Sequence, residues 1–110
     1  RPTTAYNVVI HEFAHVLDMP DGVPDGVPLL ASARDRQAWL TVLMPEYDRF
    51  CERVVCGHET VLDDYAAEAP DEFFAVASEA FFVTPQPLKE EQPAMYRLLT
   101  SYYRQNPASY

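Results

Sequence analysis

The clearest pattern in the chain is a nearly continuous apolar stretch close to its beginning that contains three ionisable residues. The stretch reads VVIHEFAHVL and is followed by Asp18. Its apolar side chains would surround a helix on nearly every side, and a helix of this kind is normally buried. Thr3 and Thr4 offer an N-cap and Pro20 offers a stop, so the pattern predicts a helix that ends at Asp18 or Met19.

A loop and a second helical region follow this stretch. The segment 20–30 contains three prolines and two Asp-Gly pairs, which predicts turns and excludes a helix. A second helix is predicted from about Ser32, with apolar positions spaced for one buried face. Pro45 is expected to kink or split this helix, and the second piece, 46–55, is expected to stop at Gly57.

Prolines also divide the second half of the chain. Residues 58–64 are predicted to be loop, and Pro70 suits the first turn of a third helix over about 69–82. The segment 84–92 is expected to be broken by its prolines, and a last helix is predicted over about 93–105. The alternation of apolar and polar positions that is typical of a strand is missing from the sequence. The pattern therefore predicts a mainly α fold.

Size and charge narrow the classes of function. A chain of 110 residues suits one modest domain, so residues 1–110 are interpreted as a single domain. The net charge of −9 argues against direct nucleic-acid binding, which needs a surface rich in lysine and arginine. No apolar run is long enough to predict a membrane span. Because Arg1 stands only a few residues before the main motif, we expect a piece of a longer protein that lacks an upstream part.

His11, Glu12 and His15 form the motif H-E-x-x-H. On a helix, histidines at i and i+4 lie one turn apart on the same face, so both imidazoles can reach one Zn²⁺ ion. Glu12 is rotated by about 100° from its neighbour, which leaves it beside the metal as a general base for water and a proton donor to the leaving amine. The alternative is a pair of hydrogen-bonded core histidines. Because burial of three ionisable groups is costly without partners or a metal, the motif predicts a zinc site.

A catalytic zinc site needs a third protein ligand. His58 is isolated in the polar segment CGHETV and is interpreted as a surface residue. Asp18 and Asp21 occupy the positions where the metzincin pattern has glycine and histidine, which excludes that class. Asp18 itself has two open roles, either to hydrogen-bond a zinc histidine or to cap the end of the helix.

Three glutamates near the third helix are candidates for the third ligand: Glu68, Glu72 and Glu79. Glu68 precedes Pro70 and is expected to lie before the helix. Glu72 and Glu79 share one helix face but lie about 10 Å apart, so one metal cannot bind both directly. Glu72 is predicted in the first helical turn, and Glu79 could instead orient a zinc histidine. Either could also be a solvated carboxylate, and spacing alone does not choose between them.

Several separated segments resemble one bacterial family. They read NVVIHEFAHVLDM, DGVP, DDYAAEAPDEFFAVASEAFF and LLTSYYRQNP, in the order found in the Mlc titration factor A family of zinc peptidases. The active site of that family is similar to that of the anthrax lethal factor metalloprotease. The resemblance covers essentially the whole chain. It implies a helical, zincin-like catalytic domain without the N-terminal half of the family protein.

The resemblance assigns roles to two further residues. The third zinc ligand of the family is the glutamate of the segment that reads DEFFAV here, which is Glu72. Tyr65, seven positions earlier, matches the active-site tyrosine of the lethal factor type. It would donate a hydrogen bond to the oxyanion of the tetrahedral intermediate. The alternative role of Tyr65 is aromatic packing.

The resemblance also implies a function. The leading hypothesis is a cytoplasmic, zinc-dependent metallopeptidase with aminopeptidase activity, which acts on a peptide or protein substrate in a cleft that the upstream half completes. His11, His15 and Glu72 would bind Zn²⁺, Glu12 would be the base and Tyr65 the oxyanion donor. The alternative is a protein-binding module that sequesters a glucose-responsive transcriptional repressor, with zinc mainly structural. Glu12 favours the peptidase, because a structural site takes four protein ligands and needs no acid between its histidines.

Overall fold

Helices account for most of the structure, a computed structural model that describes residues 10, 11, 14, 26–28, 30 and 32–109. Within this part of the chain the helices are α1 (Ala33–Val55), α2 (Pro70–Val83), α3 (Pro85–Glu91) and α4 (Pro93–Tyr103), and short 3-10 turns lie at Asp64–Ala67 and Pro107–Ser109. Ile10, His11 and Ala14 also have helical backbone. The described residues include no strand, so the prediction of a mainly α fold is confirmed. None of the described helices is both long and apolar enough to cross a membrane.

Helix α2 forms the centre of the hydrophobic core. Its sequence is apolar on nearly all sides after the first turn, and every residue from Phe73 to Phe81 is buried. Pro70 lies in the first turn, as predicted, where a missing N–H leaves no helical hydrogen bond unmade. The other helices and the turn Asp64–Ala67 pack around α2. Glu79, which is only 2% exposed on this apolar helix, therefore needs a partner inside the protein.

Helix α1 is continuous through Pro45, so the predicted split of the helix at this proline is wrong. Ser32 caps the first turn by accepting a hydrogen bond from the Asp35 N–H at 3.1 Å. One buried stripe extends on both sides of the proline and consists of Trp39, Leu43, Glu46 and Phe50. Pro45 itself is exposed. Because both halves of the stripe pack against the same core, one helix is favoured in spite of the backbone hydrogen bond that the proline removes.

A second correction concerns the segment 84–92, for which the sequence predicts a break but which contains helix α3. Pro85 is the first residue of α3 and Pro87 the third. Both lie in the first turn, where backbone N–H groups have no partner within the helix and a proline therefore removes nothing. Helix α4 ends at Tyr103, slightly earlier than predicted, because Arg104 has a left-handed conformation with φ of 56°.

The turn Asp64–Ala67 connects the loop after α1 to the start of α2. The loop predicted over 58–64 is found as far as Asp63, but the sequence pattern did not predict the turn that begins at Asp64. The Asp63 side chain caps this turn by accepting a hydrogen bond from the Tyr65 N–H at 2.9 Å. The turn therefore places Tyr65 a few residues before α2.

Gly26 holds the loop before α1 against the start of α2. Its φ of 83° is a left-handed conformation that glycine adopts readily. The Trp39 Nε1–H donates to its carbonyl oxygen at 2.9 Å. A Cβ atom at this position would lie 2.8 Å from the Pro70 carbonyl oxygen and 2.9 Å from Leu43 Cδ2. Gly26 lies in the loop predicted over 20–30, and its non-helical conformation agrees with that prediction.

Replacing Gly26 with alanine is expected to destabilise the protein by about 2–5 kcal/mol, because the left-handed backbone and the collision of the new Cβ with Pro70 both contribute. Gly57→Ala is the matched control. Gly57 has a similar φ of 77°, but its added Cβ would meet no heavy atom of the described residues within 4 Å. Its cost is expected to be about 1–2 kcal/mol. Urea unfolding followed by tryptophan fluorescence measures the free energy of unfolding of both variants. Equal losses of stability in the two variants would contradict the predicted collision.

Candidate metal centre

His11, Glu72 and Tyr65 come together from separate segments of the chain. The His11 Nε2 atom lies 3.1 Å from Glu72 Oε1. The Tyr65 hydroxyl donates to the other carboxylate oxygen, Glu72 Oε2, at 3.1 Å. The centroids of the His11 and Tyr65 rings are 6.4 Å apart. The structure thus brings together a predicted metal-binding histidine, the predicted carboxylate ligand and the predicted oxyanion donor.

Glu79 contacts the opposite side of the His11 ring. Its carboxylate meets His11 Nδ1, and its side chain is only 3% exposed. A buried carboxylate is costly unless it is paired, and the imidazole is such a partner. In metal sites, a carboxylate on one ring nitrogen orients the ring and leaves the other nitrogen for the metal. Glu79 therefore lies where an orienting carboxylate would lie, which is one of the roles that spacing left open.

Helix α2 explains how two carboxylates reach one histidine. Glu72 lies in its first turn, and Glu79 lies about two turns later on the same face. His11 Nε2 faces the first of these carboxylates and Nδ1 faces the second. The remaining candidate, Glu68, is exposed and precedes the helix, as predicted. The two glutamates of α2 thus have different positions around the ring and need not compete for one metal.

Tyr65 is partly exposed next to this cluster. Its residue surface is 48% exposed, while its hydroxyl reaches Glu72. The hydrogen bond to the Glu72 carboxylate is the main cause that raises the pKa of the Tyr65 hydroxyl above its ordinary value. The hydroxyl therefore keeps its proton at neutral pH. A protonated and accessible hydroxyl in this place can donate to a substrate oxygen.

Tyr47 on α1 contacts both the turn that carries Tyr65 and the helix that carries Glu72. Its hydroxyl donates to the Ala67 carbonyl at 2.9 Å. Its ring meets the Phe73 ring edge to face, with centroids 5.6 Å apart. Sequence reasoning missed this residue. Its hydrogen-bond acceptor is a backbone carbonyl 20 positions away, and a backbone acceptor leaves no signal in the pattern of side chains.

Several predicted site residues lie outside the described residues: Glu12, His15 and Asp18. Their roles stay predictions from the sequence. His58 is exposed, in agreement with its interpretation as a surface residue. In the part of the chain that the structure describes, no three histidine, cysteine, aspartate or glutamate side chains form a complete metal-binding group. His11 and Glu72 are the predicted ligands that lie within that part.

The donor atoms around His11 suit a zinc ion. Bonds from zinc to histidine nitrogen and carboxylate oxygen are about 2.0–2.2 Å long, which places neighbouring donors of a tetrahedral site about 3.3 Å apart. The distance of 3.1 Å between His11 Nε2 and Glu72 Oε1 is close to this value. A neutral imidazole has one ring N–H, and if Nδ1 carries it toward Glu79, Nε2 would present its lone pair to a cation. His11 and Glu72 thus offer a nitrogen and a carboxylate oxygen, both of which are donor types that zinc accepts.

Comparison with protein families agrees with this chemistry. The model of the family described as glucose-regulated metallo-peptidase M90 matches residues 1–104. The chain therefore belongs to the glucose-regulated metallo-peptidase M90 family. The resemblance to the Mlc titration factor A family is also confirmed, because similar proteins carry that name.

Three relatives show how much of the chain is shared. An uncharacterized protein of Synechocystis sp. is 42% identical over 98 residues, which are 89% of this chain and 36% of that protein. Mlc titration factor A of Edwardsiella ictaluri is 40% identical over 107 residues, 94% of this chain and 41% of that protein. The protein of the same name from Pectobacterium atrosepticum is 39% identical over 107 residues, again 94% of this chain and 40% of that protein. The chain thus spans 36–41% of the length of these relatives.

Proposed function

We propose that this chain carries the catalytic centre of a zinc-dependent peptidase. In this proposal His11, His15 and Glu72 bind the zinc ion, Glu12 is the general base and Tyr65 stabilises the oxyanion. The observation that carries the proposal is the His11 ring between two carboxylates, with Nε2 3.1 Å from Glu72 Oε1. Membership of a metallo-peptidase family supports the same function.

The charges of the cluster are suited to a divalent cation. Glu72 and Glu79 bring two negative charges to one imidazole, which supplies at most one positive charge. The side chains are mostly buried, with exposures of 13% for His11, 18% for Glu72 and 3% for Glu79. Carboxylates at such positions are stabilised by hydrogen-bond donors, by cationic side chains or by a metal ion. A divalent cation bound by a neutral His11 would balance both carboxylates.

The residues of the chain would divide the chemistry between them. When bound, zinc supplies a Lewis acid that polarises the scissile carbonyl and makes water a stronger acid. Glu12 would take a proton from the attacking water and pass it to the leaving amine. Tyr65 would donate its O–H to the carbonyl oxygen as negative charge develops there. Its partly exposed side chain allows the hydroxyl to exchange Glu72 for a substrate oxygen.

For the substrate we propose a peptide or protein chain, with aminopeptidase activity as the resemblance implies. The net charge of −9 is suited to attract the positive amino terminus that an aminopeptidase recognises. Because the chain spans 36–41% of the length of its relatives, the full-length protein is expected to complete the substrate cleft. The expectation of a cytoplasmic protein rests on the resemblance alone.

A second candidate function is the binding of a transcriptional repressor. Several relatives are named Mlc titration factor A, a name that points to a protein partner. The family resemblance implies that the partner is a glucose-responsive repressor. This function is compatible with hydrolysis, because it needs a binding surface rather than the metal centre. If it were the whole function, Glu12 and Tyr65 would have no chemical task.

Metal analysis and peptide hydrolysis with the full-length protein test the proposal. The wild type is expected to hold about one zinc ion per chain and to lose activity reversibly on chelation. His11→Ala should lose both zinc and hydrolysis, whereas the control His58→Ala, which removes an exposed histidine, should keep both. Peptides with free and with blocked amino termini separate aminopeptidase activity from other cleavage. Stoichiometric zinc together with full activity in His11→Ala would refute the assigned site.

A further inference from the structure

The hydrogen bond from Tyr65 to Glu72 crosses the junction between the turn Asp64–Ala67 and helix α2. The two side chains belong to different elements, yet their oxygen atoms lie 3.1 Å apart. The residue at the N-cap of α2 is Ala69, which has no side-chain oxygen with which to cap the helix. The junction therefore needs another anchor if the Tyr65 hydroxyl is to keep its position.

Tyr47 contacts this junction on both sides. Its hydroxyl donates to the Ala67 carbonyl at 2.9 Å, at the end of the turn. Its ring packs against Phe73, the residue after Glu72, with centroids 5.6 Å apart. Burial, together with the neighbouring Cys51 thiol, raises the pKa of the Tyr47 hydroxyl to about 12. The hydroxyl thus stays protonated and remains a donor over the physiological pH range.

We infer that Tyr47 is a positioning residue of the candidate active site, which by holding the Ala67 carbonyl places the Tyr65 hydroxyl against Glu72. The consequence for catalysis rests on the proposed function, because Tyr65 is proposed there as the oxyanion donor. Tyr47 acts through the turn and not on the substrate or the metal. Loss of its hydroxyl therefore lowers kcat and leaves KM and zinc content unchanged.

A double-mutant cycle in the full-length protein tests whether Tyr47 acts through Tyr65. Tyr47→Phe keeps the ring on Phe73 and removes only the hydroxyl. The net contribution of one hydrogen bond corresponds to a fall in kcat of about 2- to 10-fold. In the Tyr65→Phe background, Tyr47→Phe is expected to cause no further loss, because the group that it positions is already absent.

Hydrogen exchange gives a readout that does not depend on activity. Within the turn, the Ala66 N–H donates to the Asp63 carbonyl at 2.9 Å and the Glu68 N–H donates to the Tyr65 carbonyl at 3.0 Å. Both amides are expected to exchange faster in Tyr47→Phe than in the wild type, because the turn has lost one of its contacts with α1. The Cys51 Sγ atom, 3.7 Å from the Ala67 carbonyl oxygen, remains as a weaker contact. Mass spectrometry of peptides that cover the turn measures this.

Tyr96→Phe is the matched control for both measurements. It also removes a hydrogen-bonded tyrosine hydroxyl, which accepts from the Ala108 N–H at 3.0 Å and donates to the Asn106 side chain. These bonds join α4 to the segment that follows it and do not involve the turn Asp64–Ala67. Wild-type kcat and wild-type exchange of the turn amides are therefore expected in Tyr96→Phe.

The outcomes separate this inference from the proposed function. Equal losses of kcat from Tyr47→Phe in both backgrounds would show that Tyr47 acts independently of Tyr65 and would overturn the inference. Wild-type exchange of the turn amides in Tyr47→Phe would overturn it as well. If the wild-type full-length protein hydrolyses no peptide, the proposed function fails, while the exchange measurement still decides whether Tyr47 holds the turn.

Discussion

Glu12→Gln in the full-length protein is expected to slow peptide hydrolysis by about 10²–10⁴-fold and to leave the zinc content unchanged. Glutamine keeps the size and the helix propensity of the side chain nearly constant. The proposed metal ligands His11 and His15 are unchanged in this variant. The amide, however, cannot take a proton from water at neutral pH. Hydrolysis rates and metal content measured on the same preparation check both parts of the prediction.

Glu59→Gln provides the matched control for this change. It makes the same chemical replacement at an exposed glutamate in the loop after α1, and wild-type activity is expected. If Glu12→Gln hydrolysed peptides at the wild-type rate, the assignment of the base would be wrong even with zinc bound. A protein that only binds a partner would retain that partner in both variants and would have no hydrolysis to lose.

The second large effect is expected for the affinity for zinc when the glutamates of α2 are replaced. Glu72→Ala is expected to weaken zinc binding by more than about 10²-fold, because it removes a proposed ligand. Glu79→Ala is expected to weaken zinc binding by about 10- to 100-fold, because it leaves the proposed ligands in place but frees the His11 ring to turn. Glu68→Ala, at an exposed position before α2, should leave the affinity unchanged.

Competition with a chromophoric zinc chelator measures these affinities in the full-length protein. Circular dichroism of each zinc-free variant provides the control that α2 is still folded. A greater loss for Glu79→Ala than for Glu72→Ala would reverse the roles of the two carboxylates. An equal loss for Glu68→Ala would show that the measurement reports general destabilisation and not a metal contact.

Local rules explain both the successes and the failures of the helix predictions. Helix α2 follows from a long apolar run that begins with a proline at a position where prolines are tolerated. Of the kink or split predicted at Pro45 the split is wrong, and the break predicted over 84–92 is wrong as well. At Pro45, burial of the same helix face on both sides of the proline outweighs the loss of one backbone hydrogen bond. In the segment 84–92, the prolines fall within the first turn of a helix, where a proline removes no hydrogen bond of the helix.

The choice between Glu72 and Glu79 shows where spacing stops being informative. The spacing of seven residues puts both carboxylates on one face of a helix. It also places them too far apart for both to bind one metal directly. The spacing does not tell which carboxylate faces which ring nitrogen of His11. That histidine lies 61 positions from Glu72 and 68 positions from Glu79. The family resemblance pointed to Glu72. The position of His11 against α2 in the structure places Glu72 at Nε2 and Glu79 at Nδ1.

The sequence by itself determined the helical class, the apolar run of α2 and the H-E-x-x-H motif, because each depends on residues within a few turns of one helix. Only the tertiary structure decided which carboxylate faces which nitrogen of His11, and that the Tyr47 hydroxyl donates to the Ala67 carbonyl in the turn of Tyr65. These contacts join residues that are 20 to 68 positions apart. Their geometry depends on how the helices pack, and periodicity along one helix does not contain that information.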